Sequence, residues 1–391
     1  MVSMPTAGAR PDDARRHNRS ALLRRLHVGG PCTRASLATE LGLNRSTIKA
    51  LVDSLADGGI VVERVPRHRS GAGRPSLLVL PQAHAAVVLA VDVRVEQVAI
   101  ALVGLGGEML ARNSWNLHGR ASEPGEVITH IVESTQLLVE EQGVPMAGVG
   151  VSVPGVVRRS DGMVHEAPNL HWTSVPVGER LGRVLHRPVT VANDAELGAL
   201  AEHLRGVARG ASDAVYVSAD IGVGGGVISS GSTLRGTAGY VGELGHMVIR
   251  PGGRSCYCGS EGCWETEVGE QAMVRALGLG PGSPRGAVVA ELRALARRPS
   301  TVPDSFGEYL EWLTLGLVNI VNMLGSELVV LGDLFTAFPG WLITELGDEV
   351  RRRSLVSRAV GGTRIVASSL GSEAKLIGAA ELAFEPLLEA F

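Results

Sequence analysis

The chain has 391 residues, 45% hydrophobic and 20% charged, with a formal net charge of -3, which leaves apolar material for two to four domains with real cores. No apolar run approaches the roughly 20 residues needed to span a bilayer, and the N-terminal MVSMPTAGARPDDARRHNRS lacks a signal peptide's apolar centre, so the sequence reads as a cytoplasmic protein with no membrane partner. Four cysteines in so long a chain fit a reducing compartment, where clustered Cys point to metal more often than to disulfide.

Charge is unevenly spread. Residues 1–80 carry 13 Lys and Arg against 6 Asp and Glu, and the remainder 24 against 34. A basic end on an acidic body suggests that the first segment meets a polyanion, the bland alternative being a solvated basic face. Within it, apolar residues recur at helical spacing in Ala21, Leu22 and Leu26, then Leu37 and Leu41, then Ile48, Leu51, Val52 and Leu55. Gly29-Gly30-Pro31 ends the first helix, Thr33 can cap the second and Asn44 the third. Two short helices joined by a Gly-containing turn make a helix-turn-helix, whose second helix enters the major groove N-terminus first. Arg34, Asn44, Arg45, Ser46, Thr47 and Lys49 are then the set facing groove or phosphates. Ile60–Val65 and Leu77–Leu80 read as strands flanking a basic Gly-rich turn, which makes the domain winged, over residues 15–82. Arg69 and Arg74 in that turn suit a narrow minor groove, unless the turn is only a solvated linker. Cys32 reads as a small buried or half-buried apolar residue.

From residue 85 the pattern changes to strands alternating with helices. Strands are expected at 85–93, 97–105, 108–117, 146–157 and 189–193, with helices at 126–142 and 195–206. A second series runs through 213–231, a Cys-rich loop, a helical stretch from about Gly269, a helix at 306–325, strands at 326–335 and 363–370, and a final helix at 374–390. Such alternation over some 300 residues implies an α/β body of two lobes with a cleft between them.

The loop GHMVIRPGGRSCYCGSEGCWE holds three of the four cysteines. His246, Cys256, Cys258 and Cys263 supply one imidazole and three thiolates, a full set for tetrahedral zinc with no open position, hence a structural site. A disulfide fits poorly in a reducing compartment, and a redox pair fits no better because the spacing is not Cys-x-x-Cys. Glu243 and Glu265 flank these ligands. An imidazole bound through one nitrogen keeps the other for a hydrogen bond.

Three segments, APNLHWTSVPVGERLGRVLHRPVTVANDAELGALAE, DIGVGGGVISSG and GYVGELGHMVIRPGGRSCYCGSEGCWET, resemble signatures of the ROK family of repressors and sugar kinases, and the resemblance covers essentially the whole chain. It implies an actin-like, ribonuclease H-like two-lobed sugar-kinase fold over residues 85–391, preceded by the winged helix-turn-helix. It implies a zinc loop at 246–263 and a sugar-binding set of Asn193, Asp194, Glu243, His246 and Glu265. Pro154, Gly155 and Asn169 lie in further matching segments.

Two phosphate motifs of the family's kinases are altered. The first, Asp-x-Gly-x-Thr, reads DVRVE, with Asp92 kept, Arg94 in place of the Gly and Glu96 in place of the hydroxyl. The second, Gly-Thr-Gly-x-Gly-Gly-Gly, reads DIGVGGG from Asp220 to Gly226. The resulting expectation is a sugar-responsive repressor whose effector is a sugar or sugar phosphate, with no catalytic residue, acting as a homo-oligomer on double-stranded operator DNA. An active sugar kinase with a fused DNA-binding domain is the alternative. A third reading makes the body an oligomerisation module only.

Overall fold

The computed structural model describes residues 11–66, 76–117, 123–297 and 303–391. Helices Pro11–Gly29, Arg34–Leu41 and Arg45–Asp57 open the chain, as the apolar spacing predicts. Thr33 Oγ1 accepts the Ser36 N–H at 3.1 Å and Asn44 Oδ1 accepts the Thr47 N–H at 2.8 Å, so both expected caps satisfy orphan donors of their helices. Between them Gly42 turns the chain at φ 64°, a conformation a Cβ would oppose. Leu22, Leu26, Leu37, Ile48, Leu51, Val52 and Leu55 are buried. Val61–Arg64 and Leu78–Pro81 form the wing, and Cys32–Thr33 adds a third strand beside Leu78–Pro81. Cys32 is buried there.

The body holds two five-stranded sheets built on one plan. In the first, the order is Val189–Asn193, Gly148–Val153, Val87–Val93, Gln97–Gly104, Met109–Asn116; in the second, Arg364–Ala367, Leu328–Asp333, Ala214–Ala219, Val223–Ser229, Ser232–Thr233. In each, the last three strands form an antiparallel meander and the first three run parallel. Val87–Val93, Gly148–Val153 and Ala214–Ala219 are buried along their whole length, which is why they read as unbroken apolar runs rather than alternations. The strand expected at 146–157 breaks at Pro154-Gly155, and Val156–Arg158 joins Met163–Ala167 and Trp172–Pro176 in a small separate sheet.

Two helices join the lobes. Asp194–Arg205 packs on the Ala214–Ala219/Val223–Ser229 hairpin, and the C-terminal helix Ala374–Ala390 packs on Val87–Val93 and Gly148–Val153. They also pack on each other, which requires glycine. A Cβ on Gly378 would lie 2.1 Å from the Leu197 carbonyl oxygen; in the strand Val223–Ser229 under the first of the two helices, one on Gly226 would lie 2.4 Å from the Ala195 carbonyl oxygen. The surviving glycines of the second phosphate motif thus have a packing role independent of any nucleotide.

The N-terminal three-helix domain is joined to the body by a shared apolar core running from Leu22 and Leu26 to Ala380 and Phe384, and by a buried polar cluster. The Gly106 N–H donates to His27 Nδ1 at 2.9 Å. That leaves the proton on Nε2, which donates to Glu381 Oε2 at 3.0 Å. Arg205 donates to Glu381 Oε1 at 2.8 Å and to the His27 carbonyl at 2.6 Å. Burial pushes the Glu381 carboxyl up, but the His27 donor and the Arg205 charge outweigh it and hold the group below the usual carboxylate range. A depressed carboxylate contributes stability that is present above its unfolded value near 4.5 and lost as pH falls through the lower folded value. Glu381→Gln is therefore expected to lose about 3 kcal/mol at pH 7 and a smaller difference at pH 3.5; urea denaturation at the two pH values checks this.

Candidate functional site

The carboxyl ends of the parallel strands in both sheets open into one crevice, the place where α/β folds put their ligands. Asn193 ends one strand, Asp92 lies near the end of another, and Asp220 and Asp333 follow or end two more. The cleft is lined by Arg94, Pro154, Gly155, Asn169, Asn193, Asp194, Asp220, Glu243, His246, Tyr257 and Glu265 together with the Ile221–Gly224 turn. All five residues expected to contact sugar are brought to it. Their chemistry suits hydroxyls, since carboxylates accept while amide and imidazole N–H groups donate.

Asn193 caps the helix Asp194–Arg205. Its Oδ1 accepts the N–H groups of Ala195 at 2.8 Å and Glu196 at 3.2 Å, and its Nδ2 donates to the Gly155 carbonyl at 2.9 Å. Its amide oxygen is thus occupied, leaving one N–H for a ligand, and it ties the Pro154-Gly155 turn to the helix. Asp194 accepts from its own helix through Oδ1, from the Ala195 N–H at 2.9 Å, and from Lys375 Nζ through Oδ2 at 2.6 Å.

The cysteine loop forms the second wall. His246 Nδ1 and the sulfurs of Cys256, Cys258 and Cys263 lie within 4.8 Å of one another. The Cys256 Sγ–His246 Nδ1 separation is 3.5 Å and Cys258 Sγ–Cys263 Sγ is 3.6 Å. Bonds of about 2.0–2.3 Å to a tetrahedral ion give ligand edges of about 3.5–3.8 Å, so the four side chains fit a metal ion. His246 Nε2 faces away from the thiols and lies 2.9 Å from the Tyr257 hydroxyl and 3.7 Å from Glu243. Glu265 Oε1 lies 2.9 Å from Cys256 Sγ and 3.7 Å from His246 Nδ1. Burial pushes the Cys256 and Cys263 thiols up, whereas the Ser260 N–H pulls Cys258 down. A metal ion binding here would displace protons, so its affinity rises with pH.

The altered phosphate loops take an unexpected form. Glu96 is exposed and does not line the cleft; Arg94 does. Its Nε donates to Asp92 Oδ2 at 2.5 Å and its Nη2 to the Ser372 carbonyl, while Asp92 also accepts from Ser152 at 2.8 Å. Asp220 pairs with Arg285, which also reaches Glu270 at 3.5 Å. The acids are thus met by cations of the chain itself. Lys375, Arg285 and Asp333 were not singled out by sequence. A signal for Lys375 existed: of 37 Lys and Arg, only Lys49 and Lys375 are lysine, and the second sits within an apolar helix.

In the N-terminal domain Asn44, Arg45, Ser46 and Lys49 are exposed along the third helix and Thr47 is half-buried. The Asn44 oxygen is taken by its cap and by Ser46 at 2.7 Å. Lys49 pairs with Asp53 at 2.6 Å but stays 71% exposed, free to exchange that partner. Arg34 is placed differently from the expectation. It donates to both Glu63 oxygens and to Asp53, each at 2.7 Å, so it ties two helices to the wing instead of facing a phosphate. Arg69 and Arg74 lie outside the described residues. Among the described residues no helix is long and apolar enough to cross a membrane.

A family model described as ROK family matches residues 88–385. The chain is 27% identical to the xylose repressor of Bacillus spizizenii over 375 residues, covering 95% of this chain and 96% of that one. It is 29% identical to a glucokinase of Streptomyces coelicolor over 324 residues, covering 77% of this chain and 98% of that one. Among solved structures, a ROK family transcriptional regulator described as a homologue of the Escherichia coli Mlc protein superposes with a TM-score of 0.76 at 23% identity, covering 96% of this chain and 97% of that one. Replacing Cys263 with Ser should drop bound metal from about one ion per chain to well below half; elemental analysis of purified protein measures both.

Proposed function

The chain belongs to the ROK family, and on that premise we propose that it is a sugar-responsive, DNA-binding transcriptional repressor whose body is a sensor and not a kinase. The observation that carries this reading is mechanical. The helix that presents Asp194 to the cleft ends in Arg205, and the helix that presents Lys375 carries Glu381. Arg205 and Glu381 are the groups that hold His27 of the DNA-binding domain. A shift of these helices on sugar binding therefore moves the buried attachment of the helix-turn-helix. A ligand changes DNA affinity this way only by preferring one helix arrangement over the other. The likeness to xylose repressors over nearly the full chain, against about three-quarters for the glucokinase, supports the same reading.

In this reading Asp194, Glu243, Glu265 and the Nε2 face of His246 hold the sugar hydroxyls, with the remaining Asn193 N–H. The ion at His246, Cys256, Cys258 and Cys263 is zinc, because three thiolates and an imidazole in a closed tetrahedron suit it. Zinc there fixes the loop so that Glu265 and His246 stay in the cleft. Asp194 is a hydroxyl acceptor, its second oxygen being held by Lys375. The third helix reads the major groove through Arg45, Ser46 and Lys49, in a homo-oligomer, dimer or tetramer, whose two-fold axis would imply a palindromic operator. The kinase reading is disfavoured by Arg94, which fills the turn where a glycine would let phosphate approach the backbone.

Two outcomes follow. Arg45→Ala should weaken binding to operator DNA at least tenfold, and wild-type affinity should fall steeply with salt, as electrophoretic or anisotropy titrations measure. With ATP and a panel of hexoses and pentoses, a coupled assay should give no turnover above background. Turnover that disappears in Asp194→Asn would instead establish the kinase.

A further inference from the structure

Lys375 is 2% exposed, yet its ammonium meets three carboxylates: Asp194 at 2.6 Å, Asp333 at 3.0 Å and Asp220 at 3.8 Å. These come from different parts of the fold. Lys375 begins the helix that packs on the first sheet, Asp194 begins the helix that packs on the second, and Asp333 and Asp220 sit at strand ends of the second sheet. Asp333 adopts φ 49°, a left-handed conformation that costs a non-glycine residue about 1–3 kcal/mol and persists because the surrounding contacts over-determine it. Burial alone would discharge the lysine, but Asp194, Asp333 and Asp220 outweigh it and hold the ammonium well above its usual range. Arg285 serves Asp220 from the other side and Arg94 serves Asp92.

Three carboxylates converging on one point are the oxygen-rich surroundings a hard divalent cation takes. A compact ammonium with three donors can sit among them, whereas a planar guanidinium presents its donors in a fixed fork. The choice of amino acid fits: in a chain with 35 arginines and two lysines, this buried position holds a lysine.

Resting on the sensor reading above, we infer that Lys375 is a resident cation that bridges Asp194, which follows the strand Val189–Asn193 of the first sheet, to Asp333 and Asp220 at strand ends of the second, in the position a divalent metal would otherwise fill, so that the cleft is assembled and binds its ligand without metal or nucleotide. Lys375 is then a positioning residue. It fixes the Asp194 carboxylate for a sugar hydroxyl and ties the two central helices to the second lobe.

The test uses full-length protein with its Cys/His site loaded, titrated with Mn2+ alone and no nucleotide, with free Mn2+ counted by electron paramagnetic resonance. Wild type should bind no Mn2+ at this cluster. Lys375→Met should take up about one Mn2+ per chain, at least tenfold tighter than any binding by wild type, and adding Asp333→Asn should abolish it. If Lys375→Met is unfolded without metal, millimolar Mn2+ should restore its melting transition. One tight Mn2+ per wild-type chain that is lost in Asp333→Asn would overturn the inference. So would a Lys375→Met protein that neither binds Mn2+ above the wild-type level nor regains its fold with it. Sugar phosphorylation by wild type in the presence of MgATP would sink the sensor reading separately, since the Mn2+ titration contains no nucleotide.

Discussion

The close packing of two helices, Asp194–Arg205 against Ala374–Ala390, is the contact on which the rest of the molecule depends. It is possible because Gly378 leaves room for the Leu197 backbone. Each helix rests on a different sheet, so their contact is also the contact between lobes. Each has functional groups at both ends of the arrangement. At one end Asp194 and Lys375 pair in the cleft; at the other Arg205 and Glu381 hold His27. A packed, low-compressibility pair of this kind transmits a displacement instead of absorbing it.

Around that pair, charges are neutralised locally. Asp92, Asp194 and Asp220 each have a cation from this chain within a hydrogen-bond length, and Asp333 shares Lys375. The altered phosphate motifs therefore produce no bare acidic hole. They produce a cleft whose acids are already partnered, leaving Glu243, Glu265 and one oxygen of Asp194 as the acceptors closest to free. A metal ion held by His246, Cys256, Cys258 and Cys263 beside them would engage the thiols and one imidazole nitrogen and leave the other nitrogen facing the cleft.

Much of this was legible in the sequence, for reasons that can be named. The first three helices announce themselves because caps and apolar spacing are local signals, and Thr33 and Asn44 act as their residue types predict. The Cys/His loop is legible because thiolate and imidazole ligands at short spacing have few other uses. Contacts between distant elements were not legible. Arg34 has the right charge and position for a phosphate contact, yet Glu63 and Asp53, 29 and 19 residues away, hold it. Glu96 stands at a motif position but points out, while Arg94 two residues earlier fills the cleft, since successive side chains alternate faces only in regular strand. Lys375 left a trace in composition, but its three partners are 42 to 181 residues distant, beyond any periodicity.

The claim that the two central helices couple cleft to DNA-binding domain is tested most directly at His27. Operator affinity is measured by fluorescence anisotropy for wild type and His27→Ala, with and without each sugar of a panel that includes xylose and glucose, alongside calorimetric sugar affinity. The account predicts that one sugar shifts wild-type operator affinity about tenfold or more, and that His27→Ala binds the same sugar normally while the shift falls to less than threefold. A variant that binds sugar and keeps the full shift would contradict it.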